Sequence, residues 1–432
     1  MEIFYASLKS LKAAVSPLSA FLTGTAFVCC GYASLNSTFA LRLSQDQTPL
    51  YVSGFILALY YLGSVLASMT ASRFINKVGN IRAFSAFTSL LSALVLTHIF
   101  SAEHSYWAVL RLSEGYCIGT ISMCLESWLN TRANNKNRGV IMSLYMVTTY
   151  LGSSLGQLFL NIPDHTEYLI FILISIIFSV ALIPVSLTAL PAPNIQIYKS
   201  MPYKKAYQIS PVGFVGCIAS GLLVGTFYLL GTIYASNLGL SIKDVSLFMF
   251  FGVIGGLLAQ FPVGKISDMT DRRYVLIAIC AALCIFAPLS YFLAPRGGLS
   301  LIISAMLVGS CIFTLYPISV SHINDLVTDE QRVHASGLLI LSQNIGLISG
   351  PIIVSVAMSS LGNWFFIASF FVISVLFIVF AVRHIRKKPD IKYISITPTT
   401  PLPTAPTHAF HELATHDGIL DKAQKFFAEK ND

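Results

Sequence analysis

Long blocks of apolar residues dominate the chain. Residues 168–189 contain no Asp, Glu, Lys or Arg, and a helix of about twenty residues spans a hydrocarbon core ~30 Å thick. These blocks are apolar on every face, whereas transmembrane barrel strands are ~10 residues long and alternate polar with apolar positions. Because a backbone in lipid must satisfy its own hydrogen bonds, the pattern predicts transmembrane helices.

Twelve such helices are predicted, and their connections are mostly short, so neighbouring helices should run antiparallel. The longest connection, 191–209, divides them six and six. The predicted units are an N-terminal bundle (1–190), a central loop (191–209), a C-terminal bundle (210–383) and a disordered tail (384–432). The predicted spans are 16–41, 50–72, 83–101, 106–128, 140–161, 167–190, 210–236, 245–266, 273–294, 299–321, 334–358 and 363–383.

Composition supports a membrane protein. Of the 432 residues 55% are hydrophobic and only 11% are charged, whereas soluble domains carry roughly 25% charged residues. The eight cysteines all lie in apolar runs without metal-ligand spacing, so we predict neither a metal site nor a cofactor.

Positive charge predicts the orientation of the chain. With both termini on one side, the short segments on that side contain fifteen Lys and Arg, and the opposite loops contain three. Cytoplasmic segments of membrane proteins carry this excess. We therefore expect a multi-pass protein of the cytoplasmic (inner) membrane with both termini in the cytoplasm, and we explain the net charge of +8 by topology rather than by nucleic acid.

The two halves repeat each other. Residues 72–82 resemble residues 264–273 at an offset of 192, and Gly152 and Gly156 correspond to Gly346 and Gly350 at an offset of 194. Two separated features at nearly one offset indicate a duplication of a six-helix unit. The glycine pairs should allow close helix packing, either inside the monomer or at a dimer interface.

These motifs resemble those of the major facilitator superfamily over residues 15–383. The 8–9 loop is similar to the family's Gly-x-x-x-Asp-Arg-x-Gly-Arg-Arg motif, whereas the first copy has Ser72 and Asn76 where the family has Gly and Asp. Arg111-Leu-Ser-Glu114-Gly115 is similar to the Arg-x-x-Gln/Glu-Gly motif of span 4, and the run 126–130 with Gly156-Gln157 and Gly350-Pro351 resembles the YcaD-like branch.

The resemblance implies an all-α integral membrane protein of the major facilitator fold, with two six-helix bundles that rock around a central site. It also implies gating contacts at the cytoplasmic ends of the helices, where pairs of opposite charge would act as a latch. A surface salt bridge worth ~1 kcal/mol or less is the alternative. The predicted gating residues are Lys77, Gly79, Arg82, Glu126, Arg138, Gly264, Asp268, Arg272, Arg273, Asp325 and Arg332.

Arg111 and Glu114 lie three residues apart, on one face of span 4. A charge inside the membrane costs a few kcal/mol, so it needs a partner or a wet cavity. We expect this pair to line the central cavity, where Glu114 would bind a proton or a cationic group and Arg111 would set its affinity. The alternative is a permanent ion pair that fixes packing. We expect His98 to be buried against its neighbours.

Polar and aromatic residues at mid-depth are candidates for substrate contacts, although each of them could serve packing alone. Amides are awkward to expose to lipid and are the better candidates. The candidates are Asn36, Tyr150, Tyr228, Gln343 and Asn344.

The predicted function is secondary active transport of a small organic solute by alternating access. Proton coupling is a hypothesis based on Glu114, and export is implied by the branch resemblance. No Walker-type loop, His-x-x-Glu-His-like pattern or Gly-x-Ser-x-Gly elbow is present, so we predict neither ATP as the energy source nor an enzyme. A non-transporting sensor or scaffold with this fold is the alternative. The expected partners are the substrate, a coupling ion and membrane lipid, and we expect a monomer.

Overall fold

The computed structural model describes residues 19–132, 138–163, 168–187, 207–327 and 329–387. The predicted tail and most of the predicted central loop lie outside these residues. So do the side chains of Arg138 and Arg332, whose gating roles therefore stay predictions.

The described residues form twelve long α-helices and no β-strand, which confirms the predicted fold. Short 3₁₀ turns extend α5 to Asn161 and α9 to Arg296. The helices are α1 (Ser19–Gln45), α2 (Leu50–Val78), α3 (Asn80–Thr97), α4 (His104–Arg132), α5 (Arg138–Gln157), α6 (Leu169–Ser186), α7 (Pro211–Asn237), α8 (Ile242–Met269), α9 (Arg272–Leu293), α10 (Gly298–Asn324), α11 (Asp329–Leu361) and α12 (Phe365–Lys387).

Local sequence explains several helix ends. Ser210 and Ser241 cap α7 and α8 through their hydroxyl groups, and Pro211 follows at a position where no backbone N–H is needed. Gly79 joins α2 to α3 with a φ of 89°, a conformation that glycine adopts without strain. A single residue therefore reverses the chain between two long helices.

Nine of these helices are long and apolar enough to span a membrane by length and composition. The three described helices that fall short of this criterion are α1, α4 and α5. Polar and charged side chains are buried in α1 and α4 inside the protein. Helices that face other helices tolerate such residues, whereas helices that face lipid do not.

The two six-helix bundles are built alike. In the N-terminal bundle, α1 packs on α5 and α6, α2 packs on α4, and α3 packs on α6. Six helices later the same pairs recur, because α7 packs on α11 and α12, α8 on α10, and α9 on α12. Across the bundles α1 meets α7, α2 meets α11 and α5 meets α8.

Glycines on α2 and α4 show the repeat at the level of single contacts. A Cβ on Gly63 would collide with the carbonyl oxygen of Leu112, and a Cβ on Gly115 would collide with that of Tyr60. On α8 and α10, Gly255 and Gly309 are in the same position against a facing backbone. Gly63 and Gly255 are 192 positions apart, and Gly115 and Gly309 are 194 apart, as the sequence offsets predict.

The predicted close approach at the other glycine pairs also occurs inside the monomer. Gly152 faces Ala26 and Gly156 faces Cys30, which brings α5 onto α1. The repeat is again present, because Gly346 and Gly350 bring α11 onto α7 at Ile218 and Leu222.

Replacing Gly115 with valine should prevent stable folding. The new side chain would have to displace the backbone of α2 at Tyr60, so we expect a cost of about 3 kcal/mol or more. The measurement is the monodisperse yield and thermal midpoint of detergent-purified protein. Gly264→Val is the control, because a Cβ at Gly264 meets no atom within 4 Å. Equal loss in both variants would contradict the packing described here.

One end of the molecule is held closed by hydrogen bonds between the bundles. The Ser44 hydroxyl lies 3.4 Å from the Ser236 hydroxyl, and the Ser246 hydroxyl donates to the Gln157 carbonyl oxygen at 2.8 Å. The Asn161 side chain also donates to Ser246 at 2.8 Å. We call this end, where α1 ends and α2 begins, the sealed end, and the opposite end, where α2 ends, the terminal end.

Candidate functional site

A buried polar cluster joins three helices of the N-terminal bundle. The Glu114 carboxylate pairs with Nε2 of His98 at 2.6 Å and accepts a hydrogen bond from the Arg111 guanidinium at 2.9 Å. Arg111 also donates to the side-chain oxygen of Asn36 on α1. We call His98, Arg111 and Glu114 the buried triad.

Aromatic rings enclose the buried triad. The His98 ring stacks on Phe171 of α6 with centroids 5.3 Å apart, and it lies 6.2 Å from the ring of Trp107. The Arg111 guanidinium lies 5.3 Å from the centroid of Phe39 and 4.9 Å from that of Tyr60. These positions are typical of cation–π contacts, so ring faces take the place of solvent around the charge.

Some polar atoms of the triad have no hydrogen-bond partner among the described residues. These atoms are Nδ1 of His98 and Nε of Arg111. Glu114 is the only carboxylate in the triad, so Arg111 balances its charge. A proton added to His98 or Glu114 would leave a net positive charge.

Arg111 and Glu114 have no exposed side-chain surface. The sequence predicts that they line the central cavity, whereas the structure places them inside the N-terminal bundle, with Tyr60 between Arg111 and Tyr32. The sequence predicts that Arg111 and Glu114 contact each other, and the structure contains this contact. For the third member, His98, the sequence predicts burial against its neighbours but not its contact with Glu114. The short loop between α3 and α4 predicts that these helices are antiparallel neighbours. It does not predict which of their faces are in contact, so it does not predict the contact of His98 with Glu114.

The C-terminal bundle has no such cluster at the equivalent positions. The residues 194 positions after Arg111 and Glu114 are Ala305 and Val308, and both are buried in α10. The same helix packing therefore forms without charge. Because buried ion pairs seldom add net stability over apolar residues, the triad calls for an explanation other than packing.

The candidate substrate residues lie at mid-depth. Tyr150 accepts a hydrogen bond at 2.6 Å from Gln260, which crosses from the C-terminal bundle. Tyr228 is half-buried, whereas Gln343 and Asn344 are buried. These positions bring side chains of both bundles to their interface.

The predicted gating residues of the second half form a compact ion-pair network. Arg272 binds Asp325 at 2.6 Å and Asp268 at 2.9 Å, so it connects α8, α9 and the end of α10. Arg273 binds Asp271 at 2.7 Å. The sequence predicts Arg272, Arg273 or Arg332 as the partner of Asp325. The partner in the structure is Arg272, and the role of this pair as a latch stays a prediction.

The remaining gating residues differ in exposure. Lys77 and Arg82 are exposed at the terminal end, on either side of Gly79. Glu126 is buried in α4, with 3% of its surface exposed. Gly264 has open space around it, so its role is not close packing.

Replacing Asp325 with asparagine should remove the carboxylate that joins α10 to Arg272. We expect unfolding in detergent to require about 1–3 kcal/mol less, because Arg272 is mostly buried and would keep only Asp268 as a charged partner. Asp244→Asn, in the first turn of α8 at the sealed end, is the control. An unchanged thermal midpoint for Asp325→Asn would mean that the network does not hold α10 in place.

The described residues contain no group of three or more His, Cys, Asp or Glu side chains that could hold a metal ion. The chemistry of the site is therefore built from one ion pair, one imidazole, amides and aromatic rings. Such groups can exchange a proton and bind an organic molecule.

The chain matches the family model of the Major Facilitator Superfamily twice, over residues 21–287 and 209–417. The chain belongs to this superfamily. It is a secondary transporter and a multi-pass membrane protein, and not an enzyme.

Relatives in the YcaD-like branch extend over most of the chain. An uncharacterized MFS-type transporter from Yersinia enterocolitica is 26% identical over 79% of this chain and 89% of its own length. The uncharacterized MFS-type transporter YcaD from Escherichia fergusonii is 22% identical, covering 86% of this chain and 96% of its own. The predicted branch is confirmed.

Solved structures show the same fold. The nucleoside transporter NupG is similar with a TM-score of 0.70 and 12% identity, covering 86% of this chain and 98% of its own. A bacterial homolog of the human lysosomal transporter Spinster, solved in an inward-facing and unoccupied conformation, has a TM-score of 0.66 and 13% identity over 87% of this chain and 98% of its own.

Proposed function

We propose that this chain exports a small organic solute across the cytoplasmic membrane by alternating access, coupled to a proton that binds at the buried triad. The observation that carries the coupling is the contact of Glu114 with both His98 and Arg111 in a fully buried setting. The equivalent positions of the C-terminal bundle are Ala305 and Val308, which pack without any charge. The charged residues of the triad are therefore not needed for packing, which supports a functional role for them.

The triad fits proton coupling because its charge changes with one proton. A proton shared by His98 and Glu114 would weaken the attraction of Glu114 for Arg111. Arg111 contacts Asn36 on α1 and the ring of Tyr60 on α2. Protonation would therefore act on two helices that meet the C-terminal bundle. This gives the proton a mechanical route to the interface between the bundles.

The orientation follows from charge. The positive segments put both termini in the cytoplasm, so the sealed end would face outward and the terminal end inward. The bundles, at residues 1–190 and 210–383, would rock about the interfaces of α2 with α11 and α5 with α8. The proposed conformation is then inward-facing, and the chain would act as a monomer surrounded by lipid.

A metabolite comparison tests this function. Cells that lack and cells that overproduce the protein would be compared for intracellular metabolites and for sensitivity to toxic compounds, at external pH 5.5 and 8. We expect at least one solute to accumulate in cells without the protein, and this difference to depend on pH. Glu114→Gln should abolish the pH dependence, and Glu103→Gln, at an exposed loop position, should keep it. A folded Glu114→Gln variant with unchanged pH dependence would refute proton coupling at the triad.

A further inference from the structure

Aromatic rings from both bundles converge at mid-depth. Tyr32 on α1 stacks on Tyr60 with centroids 5.1 Å apart, and its hydroxyl lies 3.4 Å from that of Tyr61 on α2. On the other side Tyr228 of α7 packs edge-on against Phe313 of α10 at 5.3 Å. The helices that carry these rings are in contact, because α7 meets both α1 and α2. The two ring groups therefore lie on helices that meet at the bundle interface.

Two of these tyrosines are only half-buried, although they lie deep in the molecule. Tyr32 is thirteen residues from the end of α1, and Tyr228 is nine from the end of α7. At ~1.5 Å per residue these depths are about 20 and 14 Å. Partial exposure at this depth, between the bundles, indicates an accessible gap lined by ring faces.

The gap offers no formal charge to a ligand. The charged side chains in the described middle portions of the helices are Arg111, Glu114 and Glu126, and each is at most 3% exposed. Arg111 lies against Tyr60, but its charge is paired with that of Glu114, so the surface of the gap offers an ionic ligand no net charge to pair with. An uncharged ligand fits this surface better than an ion does.

Helix geometry places Asn344 opposite Val65 of α2, one helical turn from Tyr61. A Cβ on Gly54 of α2 would collide with Ser355 of α11, which fixes the register of these antiparallel helices. Residues seven and eleven positions apart share a helix face. Tyr61 and Val65 therefore lie on the face of Gly54, and Asn344 lies on the face of Ser355, eleven residues away on each helix. Val65 packs against the apolar cluster that contains Ile340, one turn before Asn344.

Asn344 has an unused donor and an unused acceptor. Its side chain is 1% exposed, and neither its amide nitrogen nor its amide oxygen has a hydrogen-bond partner among the described residues. The Oε1 atom of the adjacent Gln343 also lacks one. Buried amides without partners are costly, and an asparagine amide can bind an adjacent donor and acceptor of one ligand at the same time.

We infer that the gap between Tyr32, Tyr61, Tyr228 and Asn344 binds a neutral, planar heteroaromatic solute that carries an N–H donor next to a carbonyl acceptor. The rings hold the flat faces of the solute, and Asn344 pairs with its amide-like edge. This inference names the substrate class of the proposed transporter and rests on that function.

A matched set of probes tests each part of this chemistry by calorimetry on detergent-purified protein. 2-Quinolone is planar and has the N–H beside the carbonyl. Coumarin replaces that N–H with oxygen, octahydro-2-quinolone keeps the lactam without aromatic rings, and 1-methylquinolinium is a planar cation. We expect 2-quinolone to bind about tenfold more tightly than coumarin and about fivefold more tightly than the saturated lactam. The cation should bind most weakly.

Variants assign these preferences to residues. Asn344→Leu should reduce the ratio of 2-quinolone to coumarin affinity to about one, and Tyr61→Leu should reduce the preference for the aromatic lactam. Asn76→Leu and Tyr51→Leu, at exposed positions on the same helix α2, are the controls and should keep both ratios. A ratio depends on two ligands of one folded protein, so general destabilisation does not change it.

Equal binding of 2-quinolone and coumarin, tightest binding of the cation, a ratio unaffected by Asn344→Leu, or no saturable binding of 2-quinolone at millimolar concentration would each overturn the inference. The test measures binding and not flux. Expected ratios in a protein that moves no solute would refute the proposed function alone, and pH-dependent transport with a failed probe set would refute this inference alone.

Discussion

Replacing Arg111 with methionine is expected to destabilise the protein by about 3–5 kcal/mol. The change leaves the Glu114 carboxylate buried, with His98 as its remaining partner in the triad, and it removes a cation that contacts Asn36, Phe39 and Tyr60. The measurement is unfolding of the purified protein in mixed detergent micelles by increasing SDS. If Arg111→Met is as stable as the natural chain, the Glu114 carboxylate does not depend on Arg111 for its charge partner, which contradicts the triad described here.

The double variant R111M/E114L separates stability from transport. Without either charge the site resembles the C-terminal bundle, where Ala305 and Val308 are at the equivalent positions, so we expect most of the lost stability to return. Transport should then lose its pH dependence. A double variant that is stable and still transports with the natural pH profile would leave the triad with a packing role alone.

A disulfide between positions 44 and 236 is expected to stop transport completely. The two serine hydroxyl oxygens are 3.4 Å apart, so a Ser44→Cys/Ser236→Cys pair brings two thiols close enough to bridge after small adjustments. The bond would join α1 to α7 at the sealed end and prevent this end from opening. The measurement is export before and after oxidation with copper phenanthroline.

The reversal with reductant is the internal control. Each single cysteine variant should transport normally under oxidation, because the eight natural cysteines lie inside the apolar helices. Dithiothreitol should restore transport in the double variant. Continued export by a fully cross-linked protein would mean that the sealed end does not need to open.

The sequence predicted the fold because long apolar runs in lipid have few solutions, and because Gly152 and Gly156, repeated as Gly346 and Gly350, mark close helix contacts that the structure contains. It also predicted the pair of Arg111 with Glu114 from their spacing. For Asp325 it predicted a partner among Arg272, Arg273 and Arg332, and the partner in the structure is Arg272.

The site was only partly predictable, since contacts between different helices depend on their rotation about their own axes. His98 reaches Glu114 from the end of α3. The periodicity of a single helix does not predict a contact between two side chains on different helices. The same applies to the burial of the triad behind Tyr60. Asn344 was a candidate because of its amide, but its inferred place one helical turn from Tyr61 required the register set by Gly54 and Ser355.

Distances between spin labels on both ends of the protein test alternating access and its coupling to the proton most directly. One pair would be attached at Gln47 and Lys243 on the sealed end and the other at Asn76 and Thr270 on the terminal end, all exposed positions. Between pH 5.5 and 8.5 in nanodiscs, we predict that one distance lengthens as the other shortens, and that Glu114→Gln removes this response. Two distances that stay constant, or that change in the same direction, would contradict a rocking transporter driven by the buried triad.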